Sequence, residues 1–364
     1  MMPPKELYER MAIDRSPYID RAEDSAKFTI PALMPPAYTS ADNKHHEKLY
    51  QPYQSLGARG VNSLAANLLM SLLPPTQSFF RLVIEESAKA SLQDPAVISE
   101  VERNLSNIEQ IVQKEIEIQS YRPPIHEALR LLVVTGNALI HIDNAGGMRT
   151  FRMDNYVIKR RPNGKPVKII IKEQVHLEAL DEEVAAIVQS DASSDRLVDL
   201  YTCILYQHDT KKYLVYQHVE KTIIPGSDVT YKEDELPYIA LRFTRVDGED
   251  YGRSFVEEHI GDIRSLEGLS QAILEGSAAS AKVLFLVSPN GTTKAKSLAQ
   301  SANGAIVQGS ANDVSVLQVN KHADMSVALS TIAEIKERLG KAFMITSDLF
   351  RQAERVTATE IQAI

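Results

Sequence analysis

Two long amphipathic patterns, at 253–282 and 324–345, constrain the fold of this chain more than any other feature of its sequence. The first opens with Ser254 and Glu257, the S-x-x-E spacing of a helix capping box, and both repeat apolar residues every three or four positions. Each therefore predicts a helix with one buried face, roughly 30–45 Å long at about 1.5 Å per residue. The apolar positions are Val256, Ile260, Ile263, Leu266, Leu269 and Ile273 in the first helix and Met325, Leu329, Ile332, Ile335, Leu339 and Phe343 in the second, which also has Glu334–Arg338 and Glu337–Lys341 at ion-pair spacing.

The residues between the two helices favour β-structure instead. VLFLV at 283–287, AIVQ at 305–308 and VSVLQV at 314–319 are predicted strands, and SPNG at 288–291 is a predicted turn. A sheet of two or three strands is barely stable alone in water, so we expect these strands to pair with those of neighbouring copies. An ordinary antiparallel hairpin in a helical domain accounts for the two helices equally well on pattern alone.

The rest of the chain divides into a helical first part and a β-rich middle part. From about 137 the apolar period changes to two, and turn residues at Asn163–Gly164 and at Asp209 predict two hairpins. The fold class is therefore α+β. The predicted helices of the first part lie at about 5–30, 54–73, 95–120 and 125–135.

Charge and cysteine content narrow the class of protein. A formal net charge of −8 excludes bulk attraction of the chain to nucleic acid. Cys203 is the single cysteine, which rules out an internal disulfide or a cysteine zinc cluster, and we expect folding in a reducing cytoplasm. The longest apolar run starts at Val61 and has about thirteen residues before its prolines, too few to cross a bilayer.

Sequence motifs of the common catalytic sites are missing. The chain contains no G-x-x-x-x-G-K-[ST], H-E-x-x-H, G-x-S-x-G or G-x-G-x-x-G. Cys203 falls within a predicted strand, where a buried and unreactive thiol is expected. We therefore predict no enzymatic activity, no cofactor and no metal site. The alternative is an enzyme whose catalytic residues are scattered along the chain.

The first predicted hairpin carries the densest group of basic side chains, here called the basic patch. Such a patch contacts phosphate or an acidic partner, or it is simply the solvated face of a sheet. Both interpretations stay open on the sequence. The members of the basic patch are Lys159, Arg160, Arg161, Lys165, Lys168 and Lys172.

Several collinear segments carry a family resemblance. The longest is LPYIALRFTRVDGEDYGRSFVEEHIGDIRSLEGL at 236–269. It is joined by YERMAIDRSPYIDRAEDSAKFTIPALMP and LGARGVNSLAANLLMSLLPP near the start, EALRLLVVTGNALIHI further on and ERVTATEI near the end. Together they resemble the head-to-tail connector, or portal, proteins of short-tailed, autographivirus-type bacteriophages, in the same order over nearly the whole chain.

The resemblance implies a portal-type fold in a ring of identical subunits, typically a homododecamer, at one capsid vertex. Double-stranded DNA would pass through the ring during packaging and ejection. A further helix that opens near the end of the chain is too short to complete the family's C-terminal region, so we expect the crown to be absent. The implied parts are a wing at 1–252 (helical to about 135, β-rich at about 137–250), stem helices at 253–282 and 324–345, a clip at 283–323, a tunnel loop at 346–355 and the start of a C-terminal helical region at 356–364.

The resemblance also implies functional residues and partners. Expected partners besides DNA and further copies of the chain are the terminase large subunit, scaffolding and major capsid proteins, a tail adaptor and internal core proteins, with no membrane. The expected location is the virion, after assembly in the host cytoplasm; another virion adaptor ring is the alternative. Tunnel-loop residues Asp348, Arg351 and Arg355 are expected to face DNA, and Thr292, Thr293, Lys294 and Lys296 on the exposed part of the clip to dock the packaging motor and then the tail.

Overall fold

A computed structural model shows how the chain folds. It divides into two compact units, one from Asp262 to Leu339 and the other made of the residues on either side. Helices and strands are mixed within it, which confirms the α+β prediction. The structure describes residues 3–35, 49–75, 78–86, 89, 94–143, 146–176, 197–219, 222–280, 284–290, 293–294, 296, 300–301, 306, 308–317 and 322–345.

Six α-helices lie in this described part of the chain. Proline occupies the first turn of α1, α3 and α4, where its missing N–H leaves no intrahelical bond unmade. Gly136 ends α4 in the left-handed conformation, at φ 75°. The helices are α1 at Pro4–Lys27, α2 at Leu56–Leu72, α3 at Pro95–Ile118, α4 at Arg122–Thr135, α5 at Phe255–Ser280 and α6 at His322–Ala342.

The strands form three antiparallel sheets. The larger sheet has the order β3-β4-β5-β6-β7, with β8 also on β6, and the smaller has the order β2-β1-β9. In the described residues the third sheet consists of β10 and β11. The strands are β1 at Asn137–Ile142, β2 at Met148–Phe151, β3 at Tyr156–Arg160, β4 at Pro166–His176, β5 at Leu197–Gln207, β6 at Lys212–Val219, β7 at Thr222–Ile223, β8 at Val229–Lys232, β9 at Tyr238–Arg242, β10 at Leu284–Val287 and β11 at Val314–Leu317.

Helix α1 packs across the larger sheet. Tyr8 and Met11 are buried against Ile170, Tyr201 and Cys203. The rings of Tyr8 and Tyr201 meet edge to face with centroids 5.9 Å apart. Full burial of each such apolar side chain stabilises the fold by about 1.5–3 kcal/mol.

Buried Arg15 fixes the position of α1 on this sheet. Its Nη1 donates to the carbonyl oxygens of Met153, Asp154 and Tyr156 at 2.9, 2.9 and 2.6 Å. A buried charge is tolerated only when it is well hydrogen-bonded, and here the acceptors are the backbone of the turn that leads into β3. The contact therefore sets where α1 lies along the sheet.

The smaller sheet has a core of its own. Ala65 of α2 and Leu131 of α4 pack with Ala138 and Ile140 of β1. On the other side of β1, its register with β9 pairs Leu139 with Ala240. Helices α2 and α4 thus cover this sheet.

In the unit from Asp262 to Leu339, α5 and α6 are antiparallel neighbours. Nη2 of Arg338 lies 2.9 Å from Oδ1 of Asp262. Further along, a β-carbon on Gly276 would lie 3.0 Å from Cε of Met325. Residue 262 of α5 is thus next to residue 338 of α6, and residue 276 is next to residue 325. The residue numbers run in opposite directions, so the two helices are antiparallel. Arg338 was predicted to pair with Glu334 on its own helix, whereas the structure pairs it with Asp262 of the facing helix.

Most predicted elements are found within a few residues of their expected bounds. The helices of the first part, the two hairpins of the middle part, the strands at 283–287 and 314–319 and both long helices are all present. The predicted strand at 305–308 is described only at Ile306 and Gln308, which belong to no strand, and its other residues lie outside the described part.

Candidate interaction surfaces

The segment at 242–257 joins the smaller sheet to α5 through two close backbone contacts. A β-carbon on Gly252 would lie 2.6 Å from the carbonyl oxygen of Gly136, and one on Gly136 would lie 2.5 Å from the carbonyl carbon of Arg253. The Asn137 side chain fastens the same crossing, since its Oδ1 accepts from the N–H of Gly252 at 2.7 Å and its Nδ2 donates to the Gly252 carbonyl at 3.0 Å. Only glycine fits this crossing.

Arg253 connects this segment to the first turn of α5. Its guanidinium donates through two nitrogens to the Glu249 carboxylate and through Nη1 to Oε1 of Glu257 at 2.9 Å. These hydrogen bonds raise the pKa of Arg253 and lower the pKa of Glu249. The Ser254 Oγ accepts from the Glu257 N–H at 2.9 Å, which confirms the predicted cap.

The same segment covers the open edge of the larger sheet. The hydroxyl of Tyr251 accepts from the N–H of Ile158 at 3.1 Å, and Oδ1 of Asp250 accepts from the N–H of Arg160 at 2.7 Å. Ile158 and Arg160 are alternate residues of edge strand β3, whose outward N–H groups would otherwise be free to pair with another chain. Two side chains thus protect this edge.

The structure gives most of the basic patch internal partners. Lys159 lies 2.9 Å from Asp250, Lys172 2.9 Å from Asp199, and both Arg161 and Lys165 reach Glu233, at 3.0 and 2.9 Å. The Arg160 guanidinium bonds to the carbonyl oxygens of Asp250, Gly164 and Ala240. Of the six basic-patch residues, all of them described, only exposed Lys168 has neither an acidic partner nor a carbonyl acceptor. The basic patch is therefore largely neutralised within the chain.

In the predicted clip at 283–323, one of the predicted docking residues is structural. Thr293 was expected to be exposed, but it is 7% exposed. Its N–H and Oγ1 donate to Oδ2 of Asp313 at 3.1 and 3.2 Å, and its Oγ1 accepts from the N–H of Ser310 at 3.0 Å. The expected exposure is wrong here because this threonine fills the turn that precedes β11. Lys294 and Lys296 are exposed as predicted.

Two predicted groups fall outside the described part of the chain. Asp348, Arg351 and Arg355 of the predicted tunnel loop lie beyond the last described residue, Ile345. Thr292 of the predicted docking group also lies outside the described residues. Their roles stay predictions.

Large apolar side chains are exposed along the unit from Asp262 to Leu339. The buried members of the two helix stripes, such as Ile263, Leu266 and Ile335, lie toward one end of the helix pair. Toward the predicted clip the apolar side chains become accessible instead. The exposed set, here called the clip-side apolar surface, is Leu274 at 59%, Leu286 at 51%, Ile306 at 102%, Val327 at 66% and Leu329 at 54%.

Helix α3 forms a second apolar surface, in the other unit. The sequence pattern makes it amphipathic, yet none of its residues is buried. It is held beside the preceding segment by polar contacts, in which the Glu109 carboxylate accepts from the N–H of Leu82 at 2.5 Å and Lys89 lies 2.9 Å from Glu102. Its exposed apolar residues are Val97, Ile108, Ile111, Val112 and Ile118. Uncovered apolar stripes of this kind mark association surfaces.

Features of catalytic or membrane sites are scarce in the described residues. They contain no group of three or more side chains suited to hold a metal ion. Burial raises the pKa of the Cys203 thiol to about 11, so this thiol is a poor nucleophile at neutral pH. No helix among them has the length and apolarity needed to span a membrane.

Comparison with known proteins identifies the class to which this chain belongs. Residues 4–364 match the family model described as bacteriophage head to tail connecting protein. The chain belongs to this family, which confirms the resemblance seen in the sequence.

Curated relatives in this family are portal proteins. The portal protein of Escherichia phage T7 is 40% identical over 369 residues, which cover 99% of this chain and 68% of the relative. That of Enterobacteria phage T3 is 40% identical over 368 residues, with 99% and 68% coverage. That of Enterobacteria phage SP6 is 30% identical over 362 residues, with 98% and 69% coverage. The chain is thus similar to these proteins over nearly its whole length.

Proposed function

We propose that this chain is the portal of a bacteriophage capsid, the ring-shaped connector through which DNA enters the head and later leaves it. The observation that carries the proposal is the family match over residues 4–364, together with 40% identity to named portal proteins. In this proposal the ring lies at one capsid vertex of the virion. It is assembled in the host cytoplasm and then contacts capsid, scaffolding and internal core proteins.

The surfaces support assembly into a ring. The clip contributes only one two-stranded sheet in its described part, and such a sheet is marginal in water without further partners. The clip-side apolar surface lies beside it. Burial of that surface against a second copy would remove apolar area from water and add stability to both. We therefore assign subunit contacts to the stem and clip, with α3 as a second contact region.

The proposed division of the chain follows the predicted parts. The wing would be 1–252, the clip 283–323 and the two stem helices 253–282 and 324–345, which overlap α5 and α6. Residues 346–355 would narrow the channel, with Asp348, Arg351 and Arg355 facing DNA. Residues 356–364 would begin a C-terminal helical region.

The chain would be the passive part of the packaging machine. It has no nucleotide-binding loop motif in its sequence, so a separate motor, the terminase large subunit, would supply the energy. We therefore propose that it is not an enzyme. Exposed Lys294 and Lys296 of the clip are candidates to dock first that motor and then the tail adaptor.

Native mass measurement with particle imaging tests the proposed function. A closed ring with a channel wide enough for a DNA duplex is expected, and a monodisperse monomer at micromolar concentration and physiological salt would contradict the assignment.

In reconstituted packaging, Lys294→Glu with Lys296→Glu should weaken motor docking and keep the ring. Arg351→Ala with Arg355→Ala should keep ring and docking but lower DNA retention. Unchanged docking or retention would remove those residues from the proposed roles.

A further inference from the structure

A cleft of about 280 Å³ lies between the turn at 161–164 and the segment at 242–250. Five cationic side chains line it, together with three carboxylates. This leaves an excess of two positive charges in the cleft, although the chain as a whole is acidic. The cations are Lys159, Arg160, Arg161, Arg242 and Arg245, and the carboxylates are Asp247, Glu249 and Asp250.

The carboxylates do not neutralise the arginines at the centre of the cleft. Asp250 lies 2.9 Å from Lys159, and Glu249 takes hydrogen bonds from Arg253 outside the cleft. Asp247 is 96% exposed, and its oxygen is 3.9 Å from Arg245, so water screens that pair.

Three arginines instead donate to neutral backbone carbonyls. Arg160 bonds to carbonyls alone, Nη1 of Arg242 donates to the Glu249 carbonyl at 2.9 Å, and Nη2 of Arg245 donates to the Pro162 carbonyl at 2.9 Å. These bonds orient the guanidinium planes but supply no negative charge. The three guanidinium groups are thus held in place by acceptors that do not offset their charge.

Two of the remaining donor nitrogens converge beside Gly164. A β-carbon there would lie 3.0 Å from Nη2 of Arg242 and 3.4 Å from Nη1 of Arg245. Neither nitrogen has an acceptor among the described residues. Gly164 has a φ of 87°, so the turn requires glycine, and the missing side chain leaves room for both groups.

The pKa directions agree with an excess of positive charge. Burial and the nearby Arg242 lower the pKa of Arg160 to about 10. Burial and the nearby Arg245 lower the pKa of Arg242. The charge of Arg242 thus disfavours the cationic form of Arg160, and the charge of Arg245 disfavours that of Arg242. An anion bound between them would favour the cationic forms and raise both pKa values.

We propose that this cleft binds one phosphate group, held by Arg242 and Arg245 and supported by Arg160. A phosphate group carries one negative charge in a nucleic acid backbone and up to two as the free ion, and its oxygens can accept from more than one of these arginines. The ligand is free inorganic phosphate or one phosphate of a nucleic acid backbone. The proposal does not depend on the portal assignment, because it rests on the geometry of one chain.

Isothermal titration calorimetry of the full chain with inorganic phosphate, at constant ionic strength, tests the proposal. We expect saturable binding of one phosphate per chain. Arg245→Gln should weaken it by about tenfold to a hundredfold, the usual effect of removing a charge-assisted hydrogen bond. Arg245 is half exposed and the change should not unfold the protein. Lys168→Gln is the matched control, since it removes one exposed charge from the larger sheet outside the cleft.

The outcomes separate the possible ligands. Phosphate binding that depends on Arg245 and not on Lys168 supports the site, and competition by a short DNA duplex would make the DNA backbone the source of the phosphate. Three results would overturn the proposal: no saturable binding to the unaltered chain, equal weakening by both substitutions, or acetate competing as well as phosphate. The last result would indicate an acidic protein segment as the occupant. Arg245→Lys, which keeps the charge but loses the planar fork, should bind more weakly than the unaltered chain.

Discussion

At the scale of single residues, Arg253 links more of the molecule than its place in the sequence reveals. The capping box at Ser254 and Glu257 was readable from spacing, and the Ser254 hydroxyl indeed caps α5. That the Glu257 carboxylate would accept from Arg253, and that Glu249 would bind the same guanidinium, was not readable, because both contacts depend on the turn before the helix.

Arg253→Lys should therefore destabilise the protein by about 1–2 kcal/mol, even though the charge is kept. A lysine cannot donate to Glu249 through two nitrogens while also reaching Glu257. The midpoint and slope of urea unfolding measure the change. Arg103→Lys, at an exposed site on α3, is the control and should be neutral. An equal effect of the two substitutions would show that the geometry of the Arg253 contacts adds nothing.

Two histidines should make the fold sensitive to mild acid, because His218 is buried and His141 is half-buried. Desolvation lowers the pKa of both below the unfolded value of 6.5. Because the folded pKa is the lower one, their contribution to stability is fully present above pH 6.5 and is lost as the pH falls through the folded pKa.

The free energy of unfolding should accordingly fall between pH 8 and pH 5.5, and His218→Gln should reduce that fall. His208→Gln, at an exposed turn position, is the control for the substitution itself. Urea titrations across this pH range provide the measurement. A profile of the His218→Gln variant that overlays the parent would contradict a role for this histidine.

At the scale of elements, local patterns were readable and distant pairings were not. The hairpin of β3 with β4 follows from its Asn163–Gly164 turn, whereas β9 pairs with β1 across about a hundred residues, and its strand was missed. Periodicity also predicted α3 without showing that its apolar side stays uncovered, since a pattern shows which side is apolar but not what covers it.

The turn around Thr293 is held to the start of β11 by two hydrogen bonds from Thr293 to the Asp313 carboxylate. Asp313→Ala should remove the acceptor for both Thr293 donors and loosen the β10–β11 hairpin. Hydrogen exchange should become faster in 284–287 and 314–317, while the thermal unfolding midpoint of the other unit stays the same. Asn312→Ala, one position earlier and exposed, is the control. Unaltered exchange in the hairpin would show that the strands hold without this contact.

At the scale of the whole molecule, the distribution of charge suits a channel that DNA passes without being held. The chain carries a net charge of −8, and its basic patch is largely paired with acidic side chains of the same chain. Like charges repel, so a duplex inside a ring of such chains would be kept off most of the wall. Composition predicted this property, whereas the pairing of the patch needed the three-dimensional arrangement.

The clip-side apolar surface gives the sharpest test of how the chains assemble. Val327 is 66% exposed on α6, so Val327→Glu should leave the single chain folded. If this side chain is buried between subunits, an unpaired carboxylate would have to lose its water there, and assembly should weaken by several kcal/mol per interface. Native mass measurement over a range of concentrations should then show smaller species, while circular dichroism stays unchanged. Ala333→Glu, at another exposed position of the same helix, should assemble like the parent. Rings of normal size and stability from Val327→Glu would place the subunit contact elsewhere, with α3 as the next surface to substitute.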